Sequence, residues 1–198
     1  MYTHSLIQIK RYETSQTFRE RLDECCEVVD ELLSSSYSSD DDESKMKISL
    51  KEIIFQKNNN VDMNNEPHIL QPALFCVEYA FAKMLTEELG IEPSVLCGHS
   101  IGEYVAATLS GVFNWKDALR MIVMRGRVTK RLSREGAMLS VRTTPSSKSS
   151  KELFTSLSIC VAARNAPGYF VLSGAFCVCV CVYLLSNSLT HSITHQTT

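Results

Sequence analysis

Neither sign of charge dominates this chain: 20 lysines and arginines stand against 22 aspartates and glutamates in 198 residues, a formal net charge of -2. No strongly positive field exists to draw nucleic acid or an acidic lipid surface, so neither is expected as a partner. A long hydrophobic run is missing too. Val171 to Leu185 is apolar, but it is shorter than the ~20 residues that span a bilayer and carries Ser173 and Gly174. Met1 to Tyr12 has no apolar core of the length a secretory signal needs, so the expectation is a cytoplasmic protein without a membrane partner. Of the eight cysteines, none forms a Cys-x-x-Cys pair, which argues against a zinc or thioredoxin-type site; no metal is expected. Cys25 and Cys26 are adjacent, Cys76 and Cys97 sit in apolar segments, and Cys177, Cys179 and Cys181 alternate with valines, so buried reduced thiols are expected.

What is present is a chain of average composition, 44% hydrophobic, long enough to bury a core. Phe18, Leu22, Cys25 or Cys26, Val29 and Leu32 recur at helical spacing and predict a helix from about Ser15, its cap, to Leu33. The stretch "SSSYSSDDDESK" that follows, and "KNNNVDMNNEP" from Lys57 to Pro67, cannot bury enough apolar area to offset ordering entropy. They read as a linker region, 34–67, around a short ordered piece at Ile48 to Phe55.

Gln71 to Gly90 reads as a helix with Pro72 in its first turn, a stripe of Leu74, Val77, Phe81, Met84 and Leu85, and Gly90 as left-handed terminator. Ser94 to Cys97 reads as a short buried strand, Gly102 to Leu109 as a helix, and Trp115 to about Leu132 as another, capped by Asn114, with Trp115, Ala118, Leu119 and Ile122 inward. Helix, strand, tight turn, helix is α/β grammar. Beyond Arg134 a strand at Ala137 to Arg142, a helix at Ser147 to Leu157, a strand at Ile159 to Ala163, a turn at "NAPG" and a strand at Tyr169 to Ser173 make most of a ferredoxin-like unit.

Chemistry concentrates at Gly98-His99-Ser100-Ile101-Gly102. A glycine two residues before the serine permits a sharp turn, and one two residues after lets the next helix pack close to the strand. Ser100 is then exposed at a helix N-terminus, where the Ile101 N–H is ready to stabilise an oxyanion, which suits acyl transfer through a serine ester. The same pattern also fits a purely structural strand-to-helix turn. Arg125 lies on the face that carries Ala118 and Ile122, an odd place for a charge without a buried anionic partner; the alternative is one more cation on a helix with Arg120, Arg127, Lys130 and Arg131.

The run "QPALFCVEYAFAKMLTEELGIEPSVLCGHSIGEYVAATLSGVFNWKDALRMIVMRGR" resembles the acyltransferase domain of polyketide and fatty acid synthases, the malonyl-CoA:carrier-protein transacylase family. The likeness is dense from Gln71 to about Arg142, thinner over "RYETSQTFRERLDECC" and "SICVAARNAPGYFVLSG", and ends at Gly174. It implies a partial α/β-hydrolase-like acyltransferase core with an incomplete ferredoxin-like subdomain: a helical segment over 1–33, the 34–67 linker, a core with the nucleophile turn over 68–134, the subdomain over 135–174, and a non-family tail over 175–198. It implies that Ser100 takes a malonyl-type acyl group from coenzyme A and passes it to the phosphopantetheine thiol of an acyl carrier protein, with no bound cofactor. By the same resemblance Arg125 grips the free carboxylate of malonyl or methylmalonyl groups, His99 is the nucleophile's usual companion, and Gln71 matches a glutamine near the active site, although a capping role at a helix start explains it equally well.

The resemblance fails at both ends. The family's Gly-Gln-Gly block has no counterpart, and its catalytic histidine lies downstream of the small subdomain. His191 is followed by Ser192, but too little chain separates it from Gly174 for the intervening elements, and His195 fares no better. The expectation is a family interior, truncated at both ends, with impaired activity. Two other readings stay open: a serine thioesterase or esterase, whose Ser, Asp, His order Asp117 and His191 satisfy formally, and a non-catalytic acyltransferase remnant.

Overall fold

The computed structural model describes residues 10–35, 49–55, 66–132, 136–142, 160–175 and 192–194. The chain divides into two compact units, Met1–Arg131 and Leu132–Thr198. Most of the linker region, the expected helix at Ser147 to Leu157, Cys177 to Cys181, His191 and His195 lie outside the described residues.

The first unit is helical. Helix α1 (Gln16–Ser34) starts where expected: Ser15 Oγ accepts from the Phe18 N–H at 3.1 Å, and its hydroxyl donates to Glu88 Oε2 at 2.5 Å. It buries Phe18, Leu22, both Cys25 and Cys26, Val29 and Leu33 against α2 (Leu50–Ile54) and α3 (Pro67–Lys83). Helix α3 begins one turn earlier than expected, with Pro67 at its start, where a missing N–H costs nothing; Pro72 therefore sits inside the helix rather than in its first turn. The α-helical run gives way to a π turn over Met84–Glu88, and Gly90 closes it at φ +65°.

The buried face of α3 is Ile69, Pro72, Ala73, Phe75, Cys76, Tyr79 and Ala80, while Leu74 and Phe81 of the expected stripe are 43% and 38% exposed. A helix apolar nearly all round gives periodicity no single face to find; the crossing with α1 makes the choice. There Cys76 meets Cys25 and Cys26, and burial pushes its thiol well up. Cys97, by contrast, is exposed.

Helices α4 (Ile101–Leu109) and α5 (Trp115–Leu132) complete the unit. Asn114 caps α5 as expected, its Oδ1 accepting from the Asp117 N–H at 2.9 Å. Ala118, Leu119, Ile122 and Val123 are buried, and Trp115 packs on the edge of the core against Tyr79, 6.3 Å between ring centroids. The expected strand at Ser94 to Cys97 is absent: the stretch is irregular and exposed, with Val95 82% accessible. A strand exists only by pairing its N–H and C=O groups, and the described residues of this unit contain no strand to pair with.

The second unit is an antiparallel sheet of β1 (Ala137–Arg142), β2 (Cys160–Ala166), β3 (Tyr169–Gly174) and β4 (Ser192–Thr194), in the order β2-β3-β1-β4. Ala137, Leu139 and Val141 are buried in strict alternation, β1 runs against β3 from Ala137↔Gly174 to Arg142↔Tyr169, and Gly168 at φ +72° turns β2 into β3. The order 2-3-1-4 with every pair antiparallel is the ferredoxin-like arrangement. Its fourth strand comes from the stretch expected to be a non-family tail, pairing Met138↔Thr194 through Ser140↔Ser192.

Candidate active site

Ser100 stands at φ +55°, ψ -110°, the one non-glycine residue with positive φ among the described residues. An L side chain pays on the order of 1–3 kcal/mol for such backbone, so the surrounding turn must enforce it. Two hydrogen bonds do so: the Gly102 N–H donates to His99 O at 3.0 Å and the Glu103 N–H to Ser100 O at 3.2 Å. The buried side chains of Ile101 and Val105 anchor the same turn to the core.

The two glycines play different parts. A Cβ on Gly98 would stand 2.1 Å from the carbonyl carbon and oxygen of Gly102, so the chain folds back on itself only because that atom is missing. On Gly102 a Cβ would meet nothing closer than Glu78 Oε2 at 3.6 Å, an ordinary contact. The expected reason for Gly102, close packing of a helix on a strand, is therefore replaced by the close approach of Gly98.

The Ser100 hydroxyl is exposed, and the Ile101 N–H donates to no backbone carbonyl among the described residues. It remains a free donor at the start of α4. His99 is exposed; its carbonyl serves the turn, and its ring makes no hydrogen bond among the described residues.

Arg125 reaches this turn from α5. Its Nη2 donates to Ser100 Oγ at 3.4 Å and its Nη1 to Gln71 Oε1 at 2.7 Å. The anionic partner expected for it is not there: Gln71 is neutral, and among the described residues no carboxylate pairs with this guanidinium. Nor does Gln71 cap a helix, since α3 starts at Pro67 and leaves it one turn inside, facing the arginine.

The placement of Arg125 follows from its neighbour. A Cβ on Gly126 would lie 2.5 Å from His68 Cα and 2.7 Å from Pro67 O, so α5 crosses the first turn of α3 backbone to backbone. Arg127 donates to Leu32 O at 2.7 Å and Lys130 to Glu66 Oε2 at 2.6 Å, which fixes the helix about its axis. His68, enclosed there beside Glu66, has its pKa lowered by burial.

Glu78, two turns along α3 from Gln71 on the same side, was not singled out in the sequence, although that spacing marks it. Its residue surface is exposed, yet burial of the carboxyl against the first turn of α4 pushes its pKa above the usual carboxylate range. Beside Arg125 an open groove of about 550 Å³ runs along α5, walled by Met121, Met124, Val128, Thr129 and Arg120. Among the described residues no group of side chains could hold a metal ion, and no helix is long and apolar enough to cross a membrane.

The sequence profile of the acyl transferase domain matches residues 12–176. Polyketide synthase GfsA of Streptomyces halstedii is 32% identical over 173 residues, 84% of this chain but 2% of that protein. The acyltransferase domain from module 8 of the salinomycin polyketide synthase superposes with a TM-score of 0.76 at 22% identity, covering 94% of this chain and 41% of the other. The malonyl CoA-acyl carrier protein transacylase from Burkholderia pseudomallei superposes with a TM-score of 0.74 at 19% identity, covering 92% of this chain and 59% of the other. The chain thus spans a small part of the curated relative and about half of the solved domains. It belongs to the acyl transferase domain family.

Proposed function

We propose that Ser100 is the nucleophile of an acyl transfer of the polyketide synthase and malonyl-CoA:carrier-protein transacylase type. The donor is a malonyl-type acyl-CoA, malonyl or methylmalonyl, and the acceptor is the phosphopantetheine thiol of an acyl carrier protein, in polyketide or fatty acid biosynthesis in the cytoplasm. The observation that supports this reading is a serine held at positive φ with a guanidinium, paired to no carboxylate among the described residues, 3.4 Å from its oxygen.

In the first half-reaction Ser100 Oγ attacks the thioester carbonyl and gives its proton to water, the C–S bond breaks as the tetrahedral intermediate collapses, and the coenzyme A thiolate takes a proton from water and leaves as the thiol. The carrier thiol then attacks the serine ester and restores the hydroxyl. The free Ile101 N–H at the start of α4 supports the oxyanion of both tetrahedral intermediates. Arg125 suits a donor with a free carboxylate, because a planar guanidinium binds carboxylates with two parallel hydrogen bonds. The groove along α5 gives the acyl chain an apolar wall.

Among the described residues no histidine or carboxylate hydrogen-bonds the Ser100 hydroxyl. Incubation with malonyl-CoA followed by intact mass measurement tests the proposal. A stable malonyl adduct on the chain, absent in Ser100→Ala, is the expected result. Hydrolysis of malonyl-CoA without an adduct would support an esterase, and neither adduct nor hydrolysis a non-catalytic remnant.

A further inference from the structure

Where α5 lies on the first turn of α3, one buried polar atom has no hydrogen bond. His68 Nδ1 makes none among the described residues, although Glu66 Oε2 lies 3.1 Å away. That oxygen is already taken, since Lys130 Nζ of α5 donates to it at 2.6 Å. Glu66, Lys130 and Arg127 are the charged groups that act on the ring among the described residues, and Arg127 is itself fastened to Leu32 O of α1 at 2.7 Å. His68 Cα is also the atom that would meet a Cβ on Gly126 at 2.5 Å. His68 thus touches the residue next to Arg125, and its ring faces the carboxylate that holds one of the two side chains fastening α5.

We infer that His68 is a positioning residue for Arg125: neutral, it leaves Glu66 to Lys130 and lets α5 rest on α3; protonated, it draws Glu66 off Lys130 and loosens the crossing that brings Arg125 to the serine turn. The inference rests on acylation at Ser100 and adds an acid-sensitive control over how Arg125 reaches it. A protonated Nδ1 is a charged donor, and the carboxylate 3.1 Å away is the acceptor it takes, because hydrogen bonds between charged groups are about twice as strong as neutral ones. Lys130 then competes for the same oxygen. A crossing of backbone on backbone has no side-chain slack to absorb the shift, so α5 moves and the contacts of Arg125 with Gln71 and Ser100 lengthen. The elbow, closed within its own few residues, stays as it is. Burial lowers the His68 pKa, Glu66 partly offsets this, and Lys130 and Arg127 lower it further, so the folded chain holds the proton less tightly than the unfolded chain. The stability that neutral His68 contributes is therefore complete above the unfolded value of 6.5 and is lost as pH falls towards the folded pKa.

Two measurements on the whole chain and on His68→Gln, which keeps a polar side chain but takes no charge, test this between about pH 7.5 and about pH 5. In chemical denaturation the unaltered chain should lose more stability over that range than His68→Gln. Labelling of Ser100, followed by peptide mass, compares malonyl-CoA with a neutral fluorophosphonate, which forms an Oγ–P bond as the P–F bond breaks, fluoride leaves, and the hydroxyl proton passes to water. The ratio of the two rates cancels the pH dependence of the hydroxyl itself. On acidification that ratio, malonyl-CoA over fluorophosphonate, should fall about threefold further in the unaltered chain than in His68→Gln, the low end for one hydrogen bond. Lys130→Met, which breaks the same fastening without acid, should show a lowered ratio already at about pH 7.5. An equal fall in the unaltered chain and His68→Gln overturns the positioning role, and so does a parallel loss of both labels, which would put the effect of acid on the elbow. An unchanged ratio in Lys130→Met overturns it even if His68→Gln does not fold. If Ser100 takes up neither reagent at any pH, the acylation reading itself falls and the positioning role with it, whereas the other adverse results leave that reading standing.

Discussion

Gly98 and Gly126 are both places where a methyl group has no room, and they are built differently. At Gly98 the obstructing atoms belong to the peptide group between Gly102 and Glu103, four and five residues on, so the close approach is local in the chain. At Gly126 they belong to Pro67 and His68 at the start of α3, so the close approach joins two helices far apart in sequence. The first sets the backbone of Ser100; the second sets where Arg125 stands. The candidate site is therefore the meeting of a local device and a tertiary one, and each can be damaged without the other.

The largest effect is expected from Gly98→Ala. A Cβ 2.1 Å from backbone atoms forces the turn open, and a displacement of about 1 Å at a reacting group costs roughly a hundredfold in rate. Labelling of Ser100 by malonyl-CoA and by a neutral serine reagent should fall together, while helical content by circular dichroism and the cooperative unfolding of the α1–α3 core persist. If labelling by both reagents survives, the elbow is not what presents the serine.

Gly126→Ala should reverse the pattern. Here the new methyl presses on backbone at 2.5 Å and drives α5 away from α3, at about 2 kcal/mol of stability, as overpacked interiors show. Chemical denaturation measures that loss. As Arg125 moves with the helix, acylation by malonyl-CoA should drop by about tenfold, the value of one charged hydrogen bond, while the neutral reagent reacts at or above the unaltered rate. Equal losses with both reagents would show that the α3–α5 crossing supports the elbow as well, and the two regions would no longer be separable.

This contrast also explains what could be read from residue order. The elbow was legible because every part of it lies within Gly98 to Gly102, where a serine between glycines has a local steric meaning. The cap residues Ser15 and Asn114 and the strand Ala137–Arg142 were legible for the same reason. The partner of Arg125 was not. Its helical face announced a buried contact, but whether an anion or the Gln71 amide fills that contact depends on where α5 crosses α3. The strand at Ser94 to Cys97 failed on similar grounds, since an apolar run becomes a strand only when another strand lies beside it. The buried side of α3 failed because its apolar residues surround the axis.

Glu78 offers the smallest and most specific way to sharpen the comparison, because it sits on α3 yet touches the elbow. Its carboxyl lies against Gly102 with no hydrogen-bond or ion-pair partner among the described residues, and burial raises its pKa above the model-peptide value of 4.5. An acid whose folded pKa is raised binds its proton more tightly in the folded chain than in the unfolded one. Its contribution to stability is therefore fully present below pH 4.5 and is lost as pH rises through the folded pKa. Glu78→Gln, which removes the charge and keeps the shape, should then leave stability unchanged at low pH and raise it slightly near neutrality. Denaturation midpoints measured across that range check the sign. A substitution that destabilises the chain at neutral pH would mean that the ionised carboxylate has a favourable partner at the first turn of α4, and the elbow would then depend on α3 for charge as well as for packing.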